Sequence, residues 1–274
     1  MKKKIIAITG SQSGMGLAFR TLLEQSGNEI IGIDLPGKGA EVEGDLTRQD
    51  ERIRVVTEVK ELSRGRLDGF IANAGIDNPN VRLVFQLNYF GVVVLLEGLR
   101  DVLAANERAS VLITASNSVV ITPGIPEAPV ADLLEDNFEA AVASLGETNP
   151  MAYQVSKLAI LRWMRSQAHT SNWAGRGITM NAISPGPVLT PLLEKDLADP
   201  QKGPIIRKLP QPLGSFAKPS DIAGLVKFMI SEEARFIVGQ NIIIDGGMEA
   251  AWREKDYPTV WDIGSEAFMA LMSS

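Results

Sequence analysis

The chain has no cysteine, and His169 is its only histidine. Disulfides, thiol nucleophiles, thiolate metal sites and histidine clusters are excluded together, so no metal centre is expected. A basic surplus is missing too: 27 Lys and Arg stand against 33 Asp and Glu, a net charge of -6 at pH 7. Nothing is left over to neutralise phosphates, so neither a nucleic acid nor an anionic membrane is expected as a partner. No apolar run approaches the ~20 residues of a membrane span. The start MKKK resembles the charged head of a signal peptide, yet the apolar run behind it, Ile5 to Ile8, ends after four residues. A cytoplasmic protein is the expectation. What remains is ordinary: 274 residues, 45% hydrophobic and 22% charged, suit one large α/β domain with a substantial core.

Against that background one stretch stands out, KIIAITGSQSGMGLAFR from Lys4 to Arg20. Ile5 to Ile8 reads as a strand buried on both faces. Thr9 and Gly10 end it, and Ser11, Gln12, Ser13, Gly14, Met15 and Gly16 form a small-residue turn. Leu17, Ala18, Leu22 and Leu23 then fall at helical spacing. Strand, glycine turn and helix together aim backbone N–H groups and a helix N-terminus at one point, which suits a pyrophosphate. The spacing is G-x-x-x-G-x-G rather than G-x-G-x-x-G, so the flanking strand and helix carry the reading. A second buried strand, Glu29 to Asp34, ends in an acid 24 residues past Gly10. Such an acid takes the ribose hydroxyls of NAD. It repels the 2′-phosphate of NADP by roughly 4 kcal/mol at 4 Å and a dielectric of 20, approaching a thousandfold preference. The alternative is a solvated strand-end aspartate.

Strands and helices keep alternating. Glu41 to Leu46 reads as a short third strand ending in Asp45, and Pro36 to Ala40 is too short for a crossover helix, so a loop is expected there. Gln49 to Leu62 is a helix with Ile53, Val56, Val59 and Leu62 on its buried side. The fourth strand, Leu67 to Ala72, is closed by Asn73-Ala74-Gly75. Leu83 to Leu103 is a long apolar helix carrying Asn88, either a satisfied core amide or part of a site. Ser110 to Ala115 is the fifth strand, with Ser116 just past the carboxyl edge where catalytic groups gather.

Residues 123–150 read as an insertion, with Pro123, Pro126, Pro129 and Pro150 around one helix marked by Leu133, Leu134, Phe138, Ala141, Val142 and Leu145. Glu127 to Glu147 holds six acids and no Lys or Arg: a solvated face, a subunit contact or a lid. Tyr153-Gln-Val-Ser-Lys157 opens a helix running to about Trp173 and carrying His169 on its surface or in its packing. Tyr153 and Lys157 share one face, either as an exposed pair or as part of a site. Ile178 to Ile183 is the sixth strand, followed by Ser184 to Thr190. Pro191 to Pro212 is a substrate loop or a plain surface excursion. A helix from Asp221 to Ser231, capped by Ser220, precedes the seventh strand, Gln240 to Ile244, and Asp245-Gly246-Gly247. The pattern predicts one Rossmann-type doubly wound α/β domain over 1–274, seven parallel strands with helices on both faces. An apolar tail at 249–274, with Trp252, Tyr257, Trp261, Phe268, Met269, Leu271 and Met272, needs covering by its own subunit or a neighbour's.

With these residues in place the chain resembles the short-chain dehydrogenase/reductase family from end to end. The matches are TGSQSGMG at 9–16, NAG at 73–75, Asn88, Ser116, YQVSK at 153–157, PGPVLT at 185–190 and DGG at 245–247. The trimmed crossover and the long Ser116-to-Tyr153 spacing resemble the branch of bacterial 3α-hydroxysteroid dehydrogenase/carbonyl reductases, with coniferyl alcohol dehydrogenases similar. Ala72 departs from the usual NNAG, Ser215 stands where the family often has Arg, and Ser118 lies close enough to Ser116 to compete for its role.

The resemblance implies hydride transfer between an alcohol or ketone and NAD, with NAD preferred over NADP. It assigns Tyr153 as acid/base, Lys157 as the cation that lowers its pKa and holds the ribose, Ser116 as the group binding the substrate oxygen, and Asn88 as support for a proton relay. Gly10, Gln12, Ser13, Gly14, Met15, Gly16, Asp34, Asp45, Leu46, Asn73, Ala74, Gly75, Pro185, Gly186, Val188 and Thr190 join Tyr153 and Lys157 around the cofactor. It also implies a homo-oligomer, dimer or tetramer. A non-catalytic dinucleotide-binding regulator or scaffold would have no use for Ser116, Tyr153, Lys157 and Asn88 together, and a methyltransferase gives no reason for the Tyr–Lys pair. An apolar pocket favours steroid or aryl alcohols over sugars.

Overall fold

Alternation within the apolar runs decides which side of the sheet each side chain fills. Ile5 and Ala7 enter one core and Ile6 and Ile8 the other, and Phe70 and Ala72 are parted from Ile71 in the same way. The computed structural model describes residues 3–257 and, beyond them, 259, 262, 264, 269 and 272. β1 (Ile5–Thr9), β2 (Glu29–Asp34), β3 (Val42–Glu43), β4 (Gly69–Ala72), β5 (Ala109–Thr114), β6 (Ile178–Pro185) and β7 (Asn241–Ile244) form one sheet in the order 3-2-1-4-5-6-7. Every neighbouring pair is parallel. This is the expected doubly wound fold, with its carboxyl edge as the natural ligand edge.

One face is covered by α1 (Gly14–Gln25) and α11 (Pro219–Met229), which contribute Phe19, Leu23, Ile222 and Val226 to the smaller core. The larger core lies under α2 (Gln49–Leu62), α4 (Gly91–Leu103) and α8 (Ala152–Ala168). α3 (Val81–Phe85) runs through a π-helical turn, Gln86–Phe90, into α4, giving one helix from Val81 to Leu103. By length and composition that helix could cross a membrane, which counting apolar runs does not register. Val84, Phe85, Leu95, Leu96, Leu99 and Leu103 are fully buried in the core.

Several expectations need correcting. β3 is only two residues long, because Gly44 and the Asp45–Arg48 turn end it at once. The loop before it is indeed helix-free. It need return only far enough to pair Ile33 with Val42, and the Glu43 carboxylate holds it by accepting the Gly37 and Gly39 N–H groups at 2.9 and 2.8 Å. In α2 the buried face is Arg52, Val55, Val56 and Val59, while Ile53 and Leu62 are 57% and 46% exposed. Arg52 takes the inward position because its Nη1 donates to Leu46 O, Gln86 O and Gln86 Oε1 at 3.0, 3.0 and 2.9 Å. α11 starts at Pro219 after Lys218, whose N–H donates to the Asp221 carboxylate at 2.7 Å, so Ser220 is not the cap.

Residues 123–150 hold two helices rather than one, α6 (Glu127–Leu134) and α7 (Phe138–Leu145), after the short α5 (Ser118–Ile121). Asp136, with φ 59°, breaks the run, and Asn137 caps α7 by accepting the Ala140 N–H at 3.2 Å. The acids are not a wholly solvated stripe. Arg82 on α3 pairs with Glu139 and Glu147, each at 2.8 Å, and Arg162 on α8 pairs with Glu127, so arginines from outside staple the segment to the larger core. Pro191 to Pro212 contains α9 (Pro191–Ala198) and α10 (Lys202–Ile206). α8 ends at Ala168, with His169 exposed just past it. The DGG turn caps α12 (Met248–Arg253), where Asp245 accepts the Gly247, Met248 and Glu249 N–H groups. Trp252, Tyr257, Met269 and Met272 are exposed, while Trp261, Phe268 and Leu271 lie outside the described residues.

Candidate active site

The carboxyl edge is assembled around Thr9 at the end of β1. Its Oγ1 accepts the N–H groups of Asn73 and Ala74, both at 2.9 Å, and its carbonyl accepts Asn73 Nδ2 at 3.2 Å. The glycine turn and the NAG turn are thereby locked together. A Cβ on Gly16 would stand 2.0 Å from Gly10 O, so only glycine lets α1 approach the strand so closely. Gly14, at φ +53°, faces Thr190, whose Cγ2 would be 3.4 Å from an added Cβ. Ser13 is the N-cap of α1 without using its hydroxyl, and the first N–H groups of the helix, around Met15, have no intrahelical acceptor.

Asp34 is not a loose strand-end acid. Its carboxylate accepts the Gln12 N–H at 2.9 Å and the Leu35 N–H at 2.8 Å, fixing it beside the glycine turn. Asp45 is partly used locally, accepting the Thr47 N–H and hydroxyl at 3.0 and 2.7 Å, and Leu46 is buried with its carbonyl held by Arg52. Across the edge Pro185 O accepts the Asn117 N–H, Gly186 N–H donates to Ile244 O, and Val188 is buried. Thr190 caps α9 by accepting the Leu193 N–H. A glycine turn with free N–H groups, a held carboxylate at the end of β2 and a facing PGPVLT lip fit a dinucleotide.

The catalytic candidates converge one step further along. Tyr153 and Lys157 stand on the face of α8 toward β5, and the Lys157 ammonium, 4% exposed, donates to Thr114 O at 2.8 Å. It lies 5.7 Å from the Tyr153 ring centroid. The exposed-pair alternative is excluded. Asn88 is fully buried in the π-helical turn; its Oδ1 accepts the Ile76 N–H at 2.9 Å, and its Nδ2 donates to Ile76 O and Ser156 Oγ at 2.9 and 3.1 Å. Ser156 Oγ donates in turn to Tyr153 O at 2.7 Å. A methyl group on Gly75 would be 3.2 Å from both Lys157 Nζ and Asn88 Oδ1, which shows how tightly the NAG turn closes over them.

Burial pushes the Tyr153 hydroxyl up to about 12, the Ser116 hydrogen bond pulls it back, and the charges of Asp77 and Asp196 add to the rise. Burial lowers Lys157 to about 8. The Lys157 ammonium is directed at the Thr114 carbonyl and the Tyr153 ring face, and burial sets the direction in which the Tyr153 hydroxyl shifts. Of the two candidate serines, Ser116 lines the cleft beside Tyr153 and its Oγ accepts the Ser118 N–H at 3.2 Å, whereas the Ser118 hydroxyl is buried without a partner and is not in the lining.

Ser116 and Tyr153 open into a cleft of about 190 Å³, with Lys157 buried behind them. Its apolar walls include Met15, Leu192, Leu193, Ile206 and Leu209. Three residues here escape a reading of the sequence: Asp77, in the loop after β4, Asp196 on α9, and Lys202 on α10, whose Nζ is 2.6 Å from Asp77 and 3.1 Å from Asp196. No local periodicity signals them, because three separate segments supply them.

Residues 4–125 match the short chain dehydrogenase family and residues 137–249 the Enoyl-(Acyl carrier protein) reductase family, and the gap between the two matches falls inside 123–150. The chain is 32% identical over 262 residues to the 3-alpha-hydroxysteroid dehydrogenase/carbonyl reductase of Comamonas testosteroni, covering 92% of this chain and 99% of that protein. It is 27% identical over 274 residues to the cis-4-hydroxycyclohexanecarboxylate dehydrogenase of Sinomonas cyclohexanicum, covering 90% of this chain and 97% of the relative. The solved structure of the 3-alpha-hydroxysteroid dehydrogenase from Pseudomonas sp. B-0831, complexed with NADH, aligns at a TM-score of 0.85 and 36% identity, covering 92% of this chain and 99% of that one. Fold and sequence agree over nearly the whole length: the chain belongs to the short-chain dehydrogenase/reductase family and is an oxidoreductase of it.

Proposed function

We propose that this enzyme transfers a hydride between NAD and a secondary or aryl alcohol and its ketone or aldehyde, with hydroxysteroids the first class to test. The observation that carries the reading is that Ser116 and Tyr153 line one cleft with the buried Lys157 ammonium 5.7 Å from the Tyr153 ring centroid, at the same sheet edge as the glycine turn and Asp34. The 3-alpha-hydroxysteroid dehydrogenases named above support the substrate class, and the relative complexed with NADH supports the cofactor.

NAD, when bound, supplies the hydride acceptor in oxidation and the donor in reduction. The first turn of α1, Asp34, Lys157 and the lip from Pro185 to Thr190 hold it. Tyr153 exchanges a proton with the substrate oxygen at its Oη, and the Ser116 hydroxyl orients that oxygen as charge develops. With Tyr153 pushed up to about 12, its hydroxyl is protonated at neutral pH, the state that donates in ketone reduction. Oxidation needs that proton gone, so its rate rises with pH. The Asn88 amide has a positioning role beside the expected relay. Both polar atoms of its amide are occupied, and through Ile76 and Ser156 they position the rim beside Lys157 and the backbone of Tyr153. A relay through Asn88 would have to leave by its main-chain carbonyl, in a π-helical turn of the kind often found at functional sites.

The test is NADH formation from NAD⁺ across 3-hydroxysteroids, aryl alcohols and simple secondary alcohols, repeated with NADP⁺ and with Tyr153→Phe. The variant should bind NADH as the native enzyme does and lose turnover by at least a hundredfold. Retained turnover would remove Tyr153 from the mechanism.

A further inference from the structure

The cleft over Tyr153 is apolar on most of its walls, and its lining carries two carboxylates, Asp77 and Asp196, with no lysine or arginine among the described residues. Lys202, which does not line the cleft, bridges the two, at 2.6 Å from Asp77 Oδ2 and 3.1 Å from Asp196 Oδ1. One ammonium thus serves two carboxylates, and the triad keeps one net negative charge.

The placement has two consequences. Asp77 follows the NAG turn on the rigid sheet edge, whereas Asp196 and Lys202 ride on α9 and α10, so the ion triad ties that helical pair across the cleft. The carboxylates are also close enough to the reacting end to act on Tyr153, whose hydroxyl they push up. Burial works against the Lys202 ammonium, but its hydrogen bonds to both carboxylates more than offset that and raise its pKa, so it stays charged and committed to them. A substrate carrying its own carboxylate or sulfonate therefore meets a net like charge and no free cation.

We propose that the Asp77–Lys202–Asp196 triad is a charge filter on the substrate cleft, admitting uncharged alcohols and ketones and rejecting those that carry an anionic group. The proposal rests on the cleft over Tyr153 being the substrate pocket. The relative named for cis-4-hydroxycyclohexanecarboxylate suggests the probe, a ring alcohol whose acid group is what the filter rejects. One net unit charge several ångströms away in a partly exposed site gives a discrimination of about tenfold.

The probes are 4-hydroxycyclohexanecarboxylate and its carboxamide, equal in shape and different in charge. Their affinities for the NADH-loaded enzyme are measured by calorimetry at low ionic strength, and kcat/KM is measured with NAD⁺ for either that turns over. The ratio of the two within each variant cancels any general loss from misfolding. The native enzyme should favour the carboxamide about tenfold, and Asp196→Asn should bring the ratio near one. Lys202→Met should widen it, while Asp77→Asn with Asp196→Asn, which leaves the ammonium alone, should reverse it toward the carboxylate. Equal affinity in the native enzyme, or a ratio that none of these variants moves, overturns the filter while leaving the catalytic reading intact. Binding of neither probe overturns the assignment of the cleft itself, and the filter with it.

Discussion

Arg52 and Ile53 are neighbours in α2, and a pair of substitutions reads out which one faces the core. Arg52 is 4% exposed and Ile53 57% exposed. Arg52→Met keeps most of the side-chain stem and removes the donor that serves Leu46 O, Gln86 O and Gln86 Oε1. Each buried acceptor left unpaired costs about 1–3 kcal/mol. Against this, the variant is relieved of a buried guanidinium whose pKa burial has already lowered, Asp45 and Asp50 opposing. The balance is a loss of about 2–4 kcal/mol, or roughly 5–15 °C in Tm for a chain of this size. Ile53→Ala removes an exposed side chain and should stay within about 0.5 kcal/mol. A buried Ile53, as the apolar spacing suggests, would instead cost about 2–5 kcal/mol.

Thermal and urea unfolding by circular dichroism measure both. Because Leu46 adjoins Asp45 and Gln86 begins the turn holding Asn88, Arg52→Met should also weaken NADH binding and turnover together. An Ile53→Ala loss larger than that of Arg52→Met would refute the placement of the α2 face.

Two further outcomes follow from the cofactor and proton chemistry. Asp34→Asn keeps an oxygen to accept the Gln12 N–H and removes the charge. It should raise kcat/KM for NADP⁺ relative to NAD⁺ by ten- to a thousandfold, the upper bound being the full repulsion of roughly 4 kcal/mol; an unmoved ratio would clear Asp34 of the preference. Lys157 is lowered from 10.5 to about 8, so between those values the unfolded chain binds more protons than the folded one. The stability of the native enzyme relative to Lys157→Met should therefore rise from pH 8 to pH 10 by roughly 2 kcal/mol. Above pH 10 the raised Tyr153 works the other way, since the unfolded tyrosine ionises first. A flat difference between native enzyme and variant across pH 8–10 in urea titrations would count against the buried charge.

The sheet was legible because its signal is local. Four-residue runs such as Ile5–Ile8 and Gly69–Ala72 carry their own two-sided burial, and a glycine turn beside them fixes the ligand edge. Helix faces were less legible wherever a polar side chain found buried acceptors. Nothing in RIRVV says that the arginine turns inward, since Gln86, its partner, is 34 residues away. The segment 123–150 misled for a related reason. It read as one helix, and its exposed acids gave no sign of Arg82 and Arg162, which pair with three of them from outside the segment. A break at Asp136 costs backbone strain that no hydrophobic period records.

The site divides along the same line. Tyr153, Lys157 and Ser116 could be singled out because helical spacing and the end of a strand are properties of short stretches. Asn88 could be noticed but not resolved between a core amide and a functional one, and the structure shows a satisfied core amide placed beside the candidate site. Its amide is fully satisfied, and the groups that satisfy it, Ile76 and Ser156, stand next to Gly75 and within one turn of Tyr153. The same bonds that make the buried side chain tolerable also hold the NAG turn against Lys157. Charge within the cleft is the opposite case. Asp77, Asp196 and Lys202 are each unremarkable in sequence, and their sum, one net negative charge over Tyr153, exists only once three segments meet. Reaction type is therefore written in local motifs, whereas substrate choice is written in contacts between loops that sequence separates.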